Sequence, residues 1–264
     1  MNAAPNEPVL LRRDDGRITI LTLNRPHAMN ALSGELIDAL KAEFDRLAQD
    51  KDIRCVIVEA RGRAFSTGHD LREVASTRDH AFHHDLLTRC SAMMMAIRGL
   101  PQPVIAKVQA VATAAGCQLV AACDLAVASS DATFATSGIN NGLFCGTPSV
   151  SVGRNVGSKR ALEMLFTGQS IDSATALRDG LVSRVVPPAD LDRETMALAD
   201  HIAQQPPQQI ASGKAMFHTR MEMDLTQAYA YATEFMAGAI QREDAQAGID
   251  AFVNKKPKPD WTGR

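Results

Sequence analysis

The stretch Val104-Ile-Ala-Lys-Val108, Val111-Ala-Thr-Ala-Ala-Gly-Cys-Gln-Leu-Val-Ala-Ala122 and Asp124-Leu-Ala-Val-Ala-Ser129 reads as strand, small-residue segment and strand. Short apolar runs such as the first and last suit strands in a core. Between them the side chains are small, and the second half of that segment reads as a buried helix. A strand, a helix and a strand in succession give an α/β chain.

Working outward, Ile18-Thr-Ile-Leu-Thr-Leu23 is a strand broken by Asn24-Arg25-Pro26. Ser33 has the character of an N-cap, with Glu35 in the following turn. Leu36, Leu40, Phe44 and Leu47 recur at helical spacing, which predicts a helix over 33–49. Cys55-Val-Ile-Val58 is continuous enough to be a strand buried on both faces. A polar loop over 61–69 and a helix over 80–97 follow, the helix ending before Leu100-Pro-Gln-Pro103. Toward the C-terminus, glycines at 138, 142, 146, 153 and 157 divide the chain into turns. Helices are expected over 158–167, 173–178 and 191–205, with a strand over 182–186. Beyond Pro206-Pro207 the pattern is helical to Phe252, and Lys255-Lys-Pro-Lys-Pro259 is a basic tail. The expected organisation is a tail over 1–9, a core over 10–205 and a helical region over 206–264.

The 264 residues carry 28 Lys and Arg against 30 Asp and Glu. That balance argues against a nucleic-acid binder, which normally shows a basic excess. No apolar run approaches the roughly 20 residues of a bilayer span, so no membrane partner is expected. Met1 to Pro8 lacks the regions of a signal peptide. Five cysteines, 55, 90, 117, 123 and 145, show no CxxC spacing. Neither a disulfide framework nor a zinc site is expected, and the default location is a reducing cytoplasm.

Phosphate-loop and dinucleotide glycine motifs are missing, as is a GxSxG elbow. His80, His83 and His84 with Asp79 share a helical face, read here as solvated rather than as a metal site. No metal or organic cofactor is expected. Met93-Met-Met95 reads as core or interface, and Trp261 as a packing anchor or an exposed residue.

Two segments have the physical character of a site. In Arg63-Ala-Phe-Ser-Thr-Gly-His-Asp70, Gly68 permits a tight turn. In Ala112-Thr-Ala-Ala-Gly-Cys-Gln118, small side chains lead into a helix whose first N–H groups lack partners. If the segments converge, the amides of His69 and Ala115 can together hold an oxyanion. The plainer alternative is a glycine turn packed on small residues.

Leu23-Asn-Arg-Pro-His-Ala-Met-Asn-Ala-Leu32, Arg63 through Leu71, and Pro103-Val-Ile-Ala-Lys-Val108 resemble the crotonase (enoyl-CoA hydratase/isomerase) family. So do Ala115-Gly-Cys-Gln-Leu-Val-Ala-Ala-Cys-Asp124, Glu163-Met-Leu-Phe-Thr-Gly168, and Gly180-Leu-Val-Ser-Arg-Val-Val-Pro187. The order is the family's, and the resemblance runs from about residue 10 to 256. It is nearest the divergent branch of enoyl-CoA hydratase domain-containing proteins. The resemblance implies a spiral of ββα turns with a helical C-terminal trimerisation region, as a homo-trimer or hexamer. It implies an acyl-CoA thioester as substrate, its carbonyl held by the backbone of His69 and Ala115. Ser66, Thr67, Gly68, His69, Asp70 and Leu71 should line the CoA path, with Ala28, Arg72, Gly116 and Gly142 nearby. Phe252 and Lys255 are expected to help from a neighbouring subunit.

Two positions depart from the family. Its hydratases place water with two glutamates, and the matching positions here hold Gln118 and Gly138. A carboxamide exchanges no proton at neutral pH, and glycine has no side chain. General acid–base groups contribute about 10²–10⁴-fold each, so conventional hydration should be weak. His69 is a candidate substitute for an acyl-CoA hydrolase or isomerase, since histidine titrates near neutrality. Cys145 is a candidate nucleophile, Asp70 a turn acceptor, and Asp124 the residue that ends the small-residue helix. A non-catalytic acyl-CoA-binding subunit is the alternative from another class.

Overall fold

Along Cys55–Ala60, alternate side chains enter different cores, because successive residues of a strand face opposite ways. Val56 and Val58 join the larger cluster with Leu36, Phe44 and Met93, whereas Cys55 and Ile57 join a smaller one with Ile18, Leu191 and Ala199. The strand is thus buried on both faces, as its unbroken apolar run indicates. A computed structural model describes residues 7–263. Residues 1–6 of the expected N-terminal tail, which include most of the segment read for a signal peptide, lie outside them.

The chain runs β1 (Leu10–Asp15), β2 (Ile18–Leu23), α1 (Gly34–Leu47), β3 (Cys55–Ala60), β4 (Ala64–Ser66), α2 (Leu71–Val74) and α3 (His80–Gly99). It continues through β5 (Val104–Val108), β6 (Val111–Thr113), α4 (Ala115–Ala122), β7 (Leu125–Ser129), β8 (Thr133–Ala135), α5 (Gly146–Asn155) and α6 (Ser158–Thr167). Then come β9 (Ile171–Asp172), α7 (Ser173–Arg178), β10 (Arg184–Val186), α8 (Leu191–Ala203), α9 (Pro207–Arg220), α10 (Leu225–Ile240) and α11 (Glu243–Val253).

Strands β3, β5 and β7 lie side by side in a six-stranded sheet of order β1-β2-β3-β5-β7-β10. Each is followed at once by a short strand of a second sheet, whose order is β4-β6-β8-β9. Within each trio the strands are parallel. One long strand, one short strand and a return helix make each turn of a ββα spiral.

Local chemistry explains the helices. The Ser33 hydroxyl accepts the Leu36 amide at 3.3 Å, and Leu36, Leu40, Phe44 and Leu47 bury one face of α1. Asp79 caps α3 through the Ala81 amide. His83 Nε2 meets the Val74 carbonyl at 2.9 Å, so that histidine ties α3 to α2. His80 and His84 stack at the surface, and no three-residue metal cluster occurs among the described residues.

Two features differ from the sequence reading. The ββα turns implied by the resemblance are present, but the residue pattern itself does not locate β4, β6 and β8, which have three residues each. Strands that short show no alternation to read. The glycine-rich stretch also contains α5, ten residues long. Gly146 and Gly153 lie within it, with nothing within 4 Å of where a β-carbon would sit.

From Pro207 to Val253 the structure is helical apart from short turns, and residues 254–263 form no helix. Lys214 of α9 ties this region to the sheet: its ammonium donates to Asp124 Oδ2 at 2.6 Å and to the carbonyls of Ile97 and Gln102. The same carboxylate oxygen accepts the Val104 amide at 2.7 Å. His218 Nε2 stands 3.4 Å from the other oxygen. The helix α4 is closed by the Cys123 amide, and the Asp124 carboxylate, expected to end it, instead joins β5 to α9. Trp261 packs over Gly248, with Lys258 against its ring. Phe217, Tyr229, Met236 and Phe252 remain exposed on α9–α11.

Candidate active site

The parallel strands β4, β6 and β8 deliver their C-terminal ends side by side, the usual place for ligands in a parallel sheet. Beyond these ends lie His69, Ala115 and Thr136. Gly68 makes its turn at φ 87°. A β-carbon there would fall 2.8 Å from Ala114 Cβ and 2.9 Å from the Ala115 nitrogen. A β-carbon at Gly116 would overlap the Ser66 carbonyl. The two glycine-bearing segments meet in direct contact, and only glycine fits on either side of it.

Amide direction follows from the pairing around this contact. The Leu32 amide donates to the Gly68 carbonyl at 2.7 Å, and the Asp70 amide donates to Leu32 O at 3.2 Å. Residues 68 and 70 both address Leu32, so by strand alternation the intervening His69 N–H faces the other way. On the second segment, the Ala114 amide is taken by Ala135 O at 2.9 Å. Ala115 is the first residue of α4, where an amide has no intrahelical partner. Among the described residues, neither the His69 nor the Ala115 amide donates to a protein acceptor.

The first loop is braced from behind. Asn30 donates to Arg61 O and Ala64 O, and Ser66 Oγ donates to Asn30 O at 2.8 Å. This holds the turn containing Ala28 beside Ser66 and Thr67, whose hydroxyl reaches Met29 O. Asp70 caps α2 through the Arg72 amide and pairs with Arg25 at 2.9 Å. Burial opposes ionisation of Asp70, but the Arg25 hydrogen bond and the Arg72 amide hold its carboxyl below the usual range. It is a turn acceptor, as its sequence position indicated. Leu71 and Arg72 are exposed, and the Arg72 side chain makes no ion pair among the described residues.

Three buried polar atoms near these strand ends lack partners among the described residues: His69 Nε2, Gln118 Oε1 and Thr136 Oγ1. Burial lowers the His69 pKa, against the pull of the Glu73 charge, so the imidazole is neutral at pH 7. Gln118 lies one turn into α4, its amide bonded to Ala114 O at 3.0 Å. Gly138 donates its N–H to Cys145 Sγ at 3.2 Å. Burial pushes the Cys145 thiol up, against that hydrogen bond, which leaves it protonated and a poor nucleophile.

Gly142, Phe252 and Lys255 are exposed. Gly142 ends an exposed 3₁₀ turn at φ 75°. Phe252 and Lys255 project from the end of α11, with Phe252 87% exposed. Sequence reasoning missed Thr136 and the bracing roles of Arg25 and Asn30. It also missed Ala114, which holds φ 50° and ψ −122° without being glycine. The Arg25-Pro-His-Ala-Met-Asn30 run carries part of the family resemblance, but its bonds to β4 and its flank are tertiary and show in no local pattern. A cleft of about 620 Å³ opens elsewhere, among Gly16, Arg17, Arg54, Asp200, Lys258 and Trp261. It contains none of the strand-end residues.

The enoyl-CoA hydratase/isomerase family model matches residues 13–264. Mouse enoyl-CoA hydratase domain-containing protein 3, mitochondrial, is 44% identical over 251 residues, covering 95% of this chain and 83% of that protein. An enoyl-CoA hydratase crystal structure from Mycobacterium smegmatis superposes with TM-score 0.95 at 47% identity, covering 96% and 99% of the two chains. The crystal structure of human enoyl-CoA hydratase domain-containing protein 3 gives 0.92 at 42% identity, covering 95% and 99%. The mitochondrial names of the mouse, human and zebrafish relatives overturn the expected cytoplasmic location. Free thiols fit a reducing setting in more than one compartment, and a balanced charge does not tell compartments apart. In sequence, fold and order of motifs, the chain belongs to the enoyl-CoA hydratase/isomerase family.

Proposed function

We propose that this chain binds an acyl-CoA thioester at the ends of β4 and β6, with the carbonyl oxygen accepting the His69 and Ala115 amides. The observation that carries the reading is the contact of Gly68 with the Ala115 nitrogen, 2.9 Å from a β-carbon position. That contact supports a reading in which the two amides, without acceptors among the described residues, address one oxygen. Such donors stabilise an enolate oxygen more than the ground-state carbonyl, and losing one costs about 3–4 kcal/mol. Ser66, Thr67, Gly116 and Ala28 shape the thioester path, and the unpaired Arg72 is available to a CoA phosphate. Phe252, Lys255 and Gly142 enter only through a neighbouring copy or a loop movement. No metal or second cofactor is needed, since CoA arrives with the substrate.

Conventional hydration is weak in this reading. Gln118 can orient a water but cannot take its proton, and Gly138 offers no side chain. The exposed apolar side chains of α9–α11 support assembly as a trimer or a pair of trimers. Light scattering gives that mass directly.

A second reading, an acyl-CoA hydrolase or isomerase, is favoured by one observation. His69 Nε2 is buried, neutral and without a partner. A panel of acyl-CoAs, analysed by mass spectrometry for hydration, hydrolysis and isomerisation, tests both readings. Rapid crotonyl-CoA hydration defeats the expectation of weak hydration, and unchanged turnover in His69→Ala removes the second reading's main candidate. Saturable binding without any product assigns the chain to non-catalytic subunits.

A further inference from the structure

Ala114 holds φ 50° and ψ −122°, a region that glycine enters freely and a β-carbon enters only at a cost. A glycine would make the same turn without strain, so the methyl is not there to make the turn. Its neighbour is the other segment: Ala114 Cβ lies 2.8 Å from the point a β-carbon on Gly68 would occupy. The methyl therefore rests on Gly68, whose own φ is 87°. Behind it, the Ala114 amide is fixed to Ala135 O at 2.9 Å. Two left-handed residues, one from each segment, meet at this point. The residue after each carries a free amide, His69 on one side and Ala115 on the other.

We propose that Ala114 is a positioning residue whose methyl is a spacer between Gly68 and the start of α4, fixing the separation of the His69 and Ala115 amides. The proposal rests on the thioester reading above and adds to it the group that sets the gap. With glycine at 114 the backbone relaxes and Gly68 loses its stop. The amides then share no fixed distance, and small misplacements are costly where donors must converge on one oxygen. The strain is retained because it holds that distance.

The test compares butyryl-CoA with its butyl thioether, which has no carbonyl, on wild type, Ala114→Gly and Ala114→Ser. Binding, melting temperature and the carbonyl stretch of ¹³C-labelled butyryl-CoA are read together. Wild type is expected to prefer the thioester and to lower its carbonyl stretch. Ala114→Gly should bind the thioether as wild type does and melt no lower. It should lose about tenfold of the thioester preference, together with part of the stretch shift. Ala114→Ser keeps the β-carbon and should keep both. A glycine variant with full preference and full shift overturns the spacer, as does a serine variant that behaves like glycine. Wild type that binds both ligands equally, with no shift, overturns the amide reading itself.

Discussion

The sulfur of Cys145 lies 2.7 Å from the point a β-carbon on Gly138 would occupy, so the two residues share one space. The Leu143 carbonyl lies 2.7 Å from the same point. The loop has closed over the position where the family resemblance puts a second glutamate. Gly138 is more than a missing carboxylate, because its surroundings have filled in.

Restoring that carboxylate consequently requires room. Gly138→Glu should destabilise the fold by about 1–3 kcal/mol through overpacking. Gln118→Glu with Gly138→Glu should hydrate crotonyl-CoA poorly, and adding Cys145→Ala should raise the rate. Loss of the enoyl absorbance follows the reaction. A double variant as fast as the triple would show that the sulfur is no obstacle.

His69 makes stability depend on pH. Burial keeps its pKa below the ordinary 6.5. The unfolded chain takes up this proton as pH falls through 6.5, while the native state resists it. The contribution is complete above that value and lost progressively below it. His69→Gln should therefore flatten the fall in unfolding free energy between pH 7 and pH 5. Parallel curves for the two proteins would count against this.

Lys214 and Asp124 form a pair of low exposure, with side chains 8% and 16% accessible. Lys214→Met leaves the carboxylate with only the Val104 amide and His218 nearby. Breaking a buried pair from one side costs about 3–5 kcal/mol. Adding Asp124→Asn should recover part of this, because it removes the stranded charge. Urea unfolding of the single and double variants gives both numbers.

All five cysteines are free and buried. Burial pushes the thiols of Cys55, Cys90 and Cys117 up to about 12. A thiol-disulfide reagent at pH 8 should react slowly with native protein and with five groups after denaturation. A fast single-site reaction mapping to Cys145 would revive it as a nucleophile.

The sequence made some of this site readable and hid the rest for physical reasons. Gln118 and Gly138 were legible because a missing carboxylate is a matter of residue identity. The contact of Gly68 with the start of α4 was anticipated from a glycine and a run of small residues. The strain at Ala114 was not, because φ at an alanine is imposed by Gly68 and Ala135 from distant parts of the chain. Nor was the pairing of Gly138 with Cys145, which depends on how the intervening loop closes. The long strands announced themselves by apolar runs, whereas β4, β6 and β8 were too short to show a period.

The Lys214 ammonium, held by Asp124 and the carbonyls of Ile97 and Gln102, also bears on how copies of this chain meet. A helical arm at the end of a fold is a natural candidate for swapping between neighbours. Here such an exchange would have to begin by pulling a cation out of three acceptors and leaving a carboxylate stranded beneath β5. Within this chain α9 is held on its own sheet, and an α9 traded between copies would have to remake the same bonds to a neighbour's Asp124, Ile97 and Gln102.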